Sequence, residues 1–374
     1  MLLSGAGPAA ADAVAAPDED NRRALDLKAI YLTTLARCAP DVLVQRCIDP
    51  SMPRNVVAIG KCAESLLDGV MRVLDVEHAF VAIPRGYRRA EARRSTGTEV
   101  HVGGHPYMTP ESFAAGRALL RFVDAHDDIL FLISGGGSAC VEVALRDEEE
   151  TARVNATLIA SGLPIAAINA ERKKHSAIKG GKLRERVRGR CVTLVHSDVS
   201  TGALADVASG PTITSADQAT LIADNTTLVR TAAQILGDNA VVLEEQLEGD
   251  VLEVAALLAA RARALRDGQI LVAGGEPTVV VRGEGRGGRC SELAVRFAME
   301  SRAEALFGSS DGVDGNSGAA GIHLPRRLEA GGPAAWKAAL RESDSFAVAA
   351  QIGEPIMIAP TGNNLRDLFL VARD

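Results

Sequence analysis

Apolar positions recur at helical spacing across residues 21–44, with Leu25, Leu27, Ile30, Tyr31 and Leu35 along one side, so one or two amphipathic helices open the chain. Short apolar runs then alternate with longer amphipathic stretches. The run 56–59 ends in Gly60-Lys61 and gives way to a helix over 62–74, while 78–83 and 129–133 predict two more strands, the second stopped by glycines. A helix over 149–161, a strand over 191–196, a helix over 218–236 and a strand over 240–243 follow. Strands alternating with helices predict a parallel sheet with helices on its faces.

The Ala/Leu-rich stretch 250–265 reads as a long helix near a domain boundary, which divides the chain into 21–248 and 249–374. Beyond it the texture changes. Strands over 270–273 and 278–282 flank a Gly-Gly-Glu turn, a helix covers 291–306, and glycine-rich loops separate short elements to the end.

At 374 residues the chain exceeds what one core usually organises, which supports two domains. Hydrophobic residues make up 47% but aromatics only 3%, so the core must be built from Ala, Val, Leu and Ile, as in buried parallel sheets. A net charge of -7 argues against a nucleic-acid partner. No run reaches the ~18 apolar residues of a membrane helix, and the first twenty residues lack the basic start and apolar core of a secretory signal. The 6 cysteines are scattered without CxxC pairs, which fits a reducing compartment, and the expected location is the cytoplasm.

Candidate chemistry gathers where strands end. Ser134-Gly-Gly-Gly-Ser138 follows a strand, so the backbone N–H groups of Gly135, Gly136, Gly137 and Ser138 could converge on a phosphate. Lys61 ends another strand of the same sheet, at the carboxyl edge where ligands of open α/β sheets collect. Its ammonium could neutralise a migrating phosphoryl group. The basic run 169–182 holds Arg172 and Lys179, suited with Ser134 to an anionic substrate, and Arg172 could clamp a carboxylate with two parallel bonds. Asp198, at a strand tip, could accept a hydroxyl proton or bind Mg2+.

In the second half, Gly275, Glu276, Gly287, Gly288, Asp311 and Asp314 lie on loops suited to a nucleotide, with Arg289 able to reach phosphate. Asp198, Glu276 and Asp311 are the candidate ligands of a hard cation. Each motif also has a plainer reading: glycines for a tight turn, a solvated basic helix face, an aspartate capping a helix. Gly283, Gly285 and Gly288 satisfy G-x-G-x-x-G, yet fewer than a hundred residues remain for a dinucleotide sheet, and Glu284 and Arg286 crowd the loop. No GxxxxGK[ST] P-loop occurs.

Read in order, the blocks AIGKCAES, GGHPYMTPES, LISGGGSA, INAERKKHSAIKGGKL, SDVSTGALADVASGPT, GGEPTVVVRGEGRGGRCSE, SDGVDGNSGAAG and PTGNNLRDL resemble the glycerate 2-kinase family. The resemblance implies an N-terminal Rossmann-like parallel-sheet domain, a smaller mixed α/β MOFRL-like domain, and an active site in the cleft between them. It implies phosphorylation of D-glycerate to 2-phosphoglycerate with ATP and Mg2+, the catalytic lysine, aspartate and arginine falling on Lys61, Asp198 and Arg289. A small hydroxy acid and ATP are the expected partners, without nucleic acid or membrane, and a homodimer is compatible with all of this. Ser200-Thr-Gly202 stands where the family continues Pro-Gly-Asp, Cys290 and Ser291 replace Asn-Gln, Ser310 replaces a Thr and Asn363 another. These departures bear on substrate identity. Two rivals stay open, an NAD(P)H-dependent hydroxypyruvate reductase and a diverged relative that only binds a ligand.

Overall fold

A computed structural model describes residues 25–374 apart from 90, 91, 93–95, 164, 200–202, 216, 217, 328–331 and 333. The N-terminal tail and Ser200-Thr-Gly202 therefore lie outside the described residues.

Two six-stranded sheets organise the chain. The first is wholly parallel: β1 (Asn55–Ile59), β2 (His78–Pro84), β3 (Thr98–Gly103), β4 (Ile129–Ser134), β5 (Cys191–His196) and β6 (Thr220–Ala223) stand in the order β3-β2-β1-β4-β5-β6. Every residue of β4 is buried, as an apolar run covered on both faces requires. Successive strands step outward from β1 in one direction and from β4 in the other. That reversal opens a crevice at the carboxyl ends of β1 and β4, where helices leave on opposite faces.

The second sheet is mixed, built from β7 (Ala240–Val242), β8 (Ile270–Gly275), β9 (Ala305–Ser309), β10 (Gly321–Leu324), β11 (Glu354–Pro355) and β12 (Asp367–Ala372). Its order is β11-β10-β9-β12-β8-β7. β12 runs antiparallel between β8 and β9, pairing Asp367 with both Gly275 and Ser309. The start of β12 thus meets the ends of β8 and β9 at one edge of the sheet.

The opening helix, Leu27–Arg37, packs on this second sheet: Leu27, Ile30 and Leu35 share a core with Val272, Leu306 and Leu370, and Tyr31 Oη donates to Ser309 O at 2.6 Å. Helix Asn225–Leu236 and β7 join the same layer, so the division expected between residues 248 and 249 falls inside the chain that builds the second sheet.

Three expected elements differ. The helix expected over 218–236 is split, because Thr220–Ala223 forms the edge strand β6 and Asp224 then caps the helix, its carboxylate accepting from Thr227 N at 3.0 Å. The helix expected over 291–306 ends at Glu300, and Ala305 already belongs to a buried strand. The strand expected over 278–282 makes only an isolated bridge between Thr278 and Asp250; Val280 and Val281 stay 63% and 76% exposed, so their β-branched character finds no sheet to pack into. Among the described residues, no helix is long and apolar enough to cross a membrane.

Candidate active site

Three neighbouring strands of the first sheet deliver Lys61, Gly135 and Asp198 from the tips of β1, β4 and β5. Lys61 N donates to Gly135 O at 2.8 Å, and Gly60, with φ 110°, takes a turn in which a Cβ would lie 2.3 Å from Ser134 O. Ser134, expected to touch substrate, is instead fully buried. Its hydroxyl donates to Ile59 O and accepts from Cys62 N, both at 3.1 Å, which pins the lysine turn onto β4.

Lys61 Nζ stands 3.8 Å from Asp311 Oδ2 and 5.0 Å above the Tyr87 ring. Burial pulls its ammonium down, but Tyr87, Asp311 and Asp198 outweigh that and hold it above the ordinary lysine range. Asp198 is half-buried, and its Oδ2 accepts from Asn364 Nδ2 at 2.9 Å. Burial pushes this carboxyl up against the opposing pull of Lys61, and Glu276 adds to the rise. Gly135 is what lets the aspartate in: a Cβ there would sit 1.7 Å from Asp198 Oδ2.

From the second sheet, Arg289 opens the helix Arg289–Glu300, its guanidinium holding the fully buried Asp367 at 3.1 and 3.2 Å and Glu276 at 2.6 Å. Asp367 dominates in keeping this arginine protonated, its pKa raised despite burial. Glu276 also lies 3.4 Å from Arg366 Nε. Asp311 is anchored by Ser309 Oγ and Val313 N, each at 2.9 Å.

Other expected ligands serve the fold. Asp314 caps the helix of Arg289, accepting from Cys290 N and Ser291 N at 2.9 Å each, and Gly288 gives it room, since a Cβ there would meet Asp314 Oδ1 at 2.1 Å. Gly275 (φ 153°) ends β8 against Leu247, whose carbonyl would lie 2.1 Å from an added Cβ. Lys179, expected at the substrate, is 1% exposed and paired with the equally buried Glu142. Asp198, Glu276 and Asp311 do not close into one metal cage: among the described residues no group of three His, Cys, Asp or Glu side chains could hold a metal ion. Gly283 and Gly285 lie against the backbone of Glu342 and Asp344, where an added Cβ would come within 2.5 Å. The G-x-G-x-x-G spacing here serves close packing on the long loop between β8 and the helix Arg289–Glu300, which leads to β9, a strand held apart from β8 by the antiparallel β12.

Two cavities meet at the site. One, of about 440 Å³, lies over the first sheet and is lined by Gly135, Gly136, Ser138, Arg172, Asp198 and His105 among others. Ser138 Oγ lies 2.7 Å from Ser209 Oγ, and Gly137 packs so closely on Ala208 that a Cβ would stand 2.7 Å from it. Arg172 is aimed by Asn155 Oδ1 at 2.8 Å and Asn169 Oδ1 at 3.4 Å. His105 is neutral at physiological pH, lowered to about 4 by burial and by Lys61 and Arg172. The other cavity, of about 800 Å³, belongs to the second sheet and includes Pro277, Val279, Gly287, Gly288 and Arg289. Glu276 and Arg366 line both.

The sequence reading passed over Asn364, Arg366 and Asp367, although they stand within the PTGNNLRDL block. The available signal was Arg366-Asp367 directly preceding the buried run Leu368–Val371, with Asn364 just upstream, at the point where a strand enters a sheet.

Residues 26–237 match a family described only as a domain of unknown function, DUF4147, and residues 269–367 match the MOFRL family. D-glycerate 2-kinase of Thermotoga maritima is 27% identical over 92% of this chain and 98% of its own. A protein of Agrobacterium vitis provisionally named a hydroxypyruvate reductase is 30% identical over 91% of this chain and 92% of its own. The crystal structure of glycerate kinase from Thermotoga maritima superposes with a TM-score of 0.80 at 26% identity, covering 93% of this chain and 98% of that one. With both domains matched in order and the fold shared throughout, the chain belongs to the glycerate 2-kinase family.

Proposed function

We propose that this protein is an ATP-dependent kinase that phosphorylates the 2-hydroxyl of D-glycerate. The observation that carries the reading is the meeting of two cavities at Glu276 and Arg366, one lined by Asp198 and the other by Arg289, with Lys61 paired to Asp311 beside them. The first cavity suits the acceptor, since Arg172 offers a fork for its carboxylate and Asp198 a base for its hydroxyl. The second suits the nucleotide, with the apolar Pro277 and Val279 on one side and Gly287, Gly288 and Arg289 towards the phosphates.

In the transfer step the acceptor oxygen forms a bond to the γ-phosphorus as the bond to the bridging oxygen of ADP breaks, and the hydroxyl proton passes to Asp198. Lys61 and Arg289 neutralise the charge on the moving group. A divalent cation entering with the nucleotide would find oxygen ligands in Asp198 and, once it is released from Arg289, Glu276. Such an ion supplies charge neutralisation between phosphates.

The test is ADP release across a panel of hydroxy acids, run beside nicotinamide oxidation with hydroxypyruvate. Release driven by D-glycerate is expected, and Lys61→Ala or Arg289→Ala should lower kcat by roughly 10³-fold with the fold intact. Hydride transfer without ADP release would replace the kinase reading by the reductase.

A further inference from the structure

Arg366 has no part in the reaction as drawn, yet it occupies the point where both cavities meet. Its backbone sits at φ 64°, in the left-handed region that a residue with a side chain enters at a conformational cost. The next residue, Asp367, turns into the sheet to hold Arg289. The unusual φ breaks the ordinary alternation of a strand entering a sheet and sends Arg366 back across the crevice. There its Nε donates to Asp198 O at 2.8 Å and approaches Glu276 Oε2 at 3.4 Å. Its Nη1 reaches Gln246 Oε1 at 2.9 Å and Glu248 Oε1 at 2.6 Å.

Glu276 is consequently a single carboxylate between two guanidinium groups, with Arg289 at 2.6 Å on one oxygen and Arg366 at 3.4 Å on the other. Two guanidinium groups set around one anion, each through a single nitrogen, form a positive seat suited to a phosphate group, which offers more oxygens and more charge than a carboxylate. Glu276 follows β8 on a loop, whereas both arginines are fixed from behind, one by Asp367 and the other by Asp198 O. The carboxylate is therefore the member free to leave.

We propose that Arg366 is a second phosphate-binding arginine of the transfer site, and that Glu276 holds it together with Arg289 until phosphate oxygens take the carboxylate's place. The inference rests on the kinase reading for its physiological ligand, but the anion seat can be tested without turnover. Inorganic tripolyphosphate, titrated calorimetrically into the full-length protein, is the probe.

Arg366→Ala should weaken tripolyphosphate binding by about tenfold or more, the loss of a charge-assisted pair. It should lower kcat for glycerate phosphorylation by roughly 100-fold while leaving the KM for glycerate unchanged. Methylguanidine added in solution should restore part of that loss, and Arg366→Lys should recover binding better than turnover, because an ammonium is not a fork. Glu276→Gln should tighten tripolyphosphate, since the one carboxylate shared by both arginines loses its charge. Tripolyphosphate bound as tightly by Arg366→Ala as by wild type would overturn the proposal. So would a loss that appears wholly in the KM for glycerate and resists methylguanidine, which would mark Arg366 as a prop for Asp198 alone. A wild-type protein that binds tripolyphosphate through Arg366 but releases no ADP with any hydroxy acid would remove the kinase reading and leave the anion seat standing.

Discussion

Asn364 donates from Nδ2 to Oδ2 of Asp198 across 2.9 Å, tying the loop before β12 of the second sheet to the strand tip that carries the proposed base on the first. This bond lowers the Asp198 pKa, while burial, the larger effect, raises it above the ordinary aspartate range. As pH falls through that raised value the carboxylate takes up a proton and can no longer accept one from the acceptor. The acid limb of kcat should therefore lie at higher pH than a free aspartate would set. Asn364→Ala removes a hydrogen bond that favours the ionised carboxylate, so the limb should move further towards neutral pH. A kcat profile against pH for the two proteins measures this, and superimposable profiles would dismiss Asp198 as the base.

Gly135→Ala places a methyl group 1.7 Å from Asp198 Oδ2 and 2.5 Å from Asn364 Nδ2. Both side chains must swing away. Because a displacement of about 1 Å at reacting groups costs on the order of 100-fold in rate, kcat should fall by that amount with the circular dichroism spectrum preserved. Steady-state kinetics on the variant check it.

Asp314→Ala should act on stability and on catalysis together. The carboxylate satisfies two backbone N–H groups at the start of the helix whose first residue is Arg289. Its loss should destabilise the protein by about 1–2 kcal/mol, read from denaturant unfolding, and loosen Arg289 enough to lower kcat. Unchanged unfolding would show that the cap is dispensable.

Lys179→Met isolates Glu142, whose remaining partners are Ser176 Oγ at 2.5 Å and Val143 N at 2.8 Å. Leaving a buried charge unpaired costs about 3–5 kcal/mol. The double variant with Glu142→Gln should recover much of that loss, because a neutral amide replaces the stranded carboxylate. Urea midpoints of the single and double variants decide the matter.

Much of the first sheet was legible in the chain. β1, β2, β4 and β5 are apolar runs that end in Gly-Lys, Pro-Arg, Gly-Gly-Gly and Ser-Asp, and a run buried on both faces leaves its mark on composition directly. Edge strands were harder. β3 and β6 are only partly buried, so their hydrophobic signal is diluted, and Thr220–Ala223 read as an extension of the helix that follows. In the second sheet β10 and β11, of 4 and 2 residues, are too short for periodicity to separate them from loops, whereas the 6-residue β12 has the buried run of a central strand and was passed over because glycine-rich loops dominate the segment before it.

The same division runs through the site. Lys61, Asp198 and Arg289 could be named in advance because each stands at a strand tip or helix start with a chemistry suited to phosphate; Asp198 acts electrostatically on Lys61, and Glu276, the partner of Arg289, acts on Asp198. Ser134, Asp314 and Lys179 could not be told from ligands by sequence, since a hydroxyl, a carboxylate or an ammonium looks identical whether its partner is a substrate or a group 24 to 72 residues away in the chain.

Local order determined by the sequence alone comprises which segments become strands buried on both faces, where glycines permit sharp turns, and the types of charge available at their ends. Which charges are consumed by the fold, and which remain for chemistry, was decided only when β12 entered between β8 and β9 and set Asp367 against Arg289, Arg366 against Glu276 and Asn364 against Asp198. Those pairings join residues far apart in the chain, and pairing energy depends on distance and burial in three dimensions, which no local pattern of residues encodes.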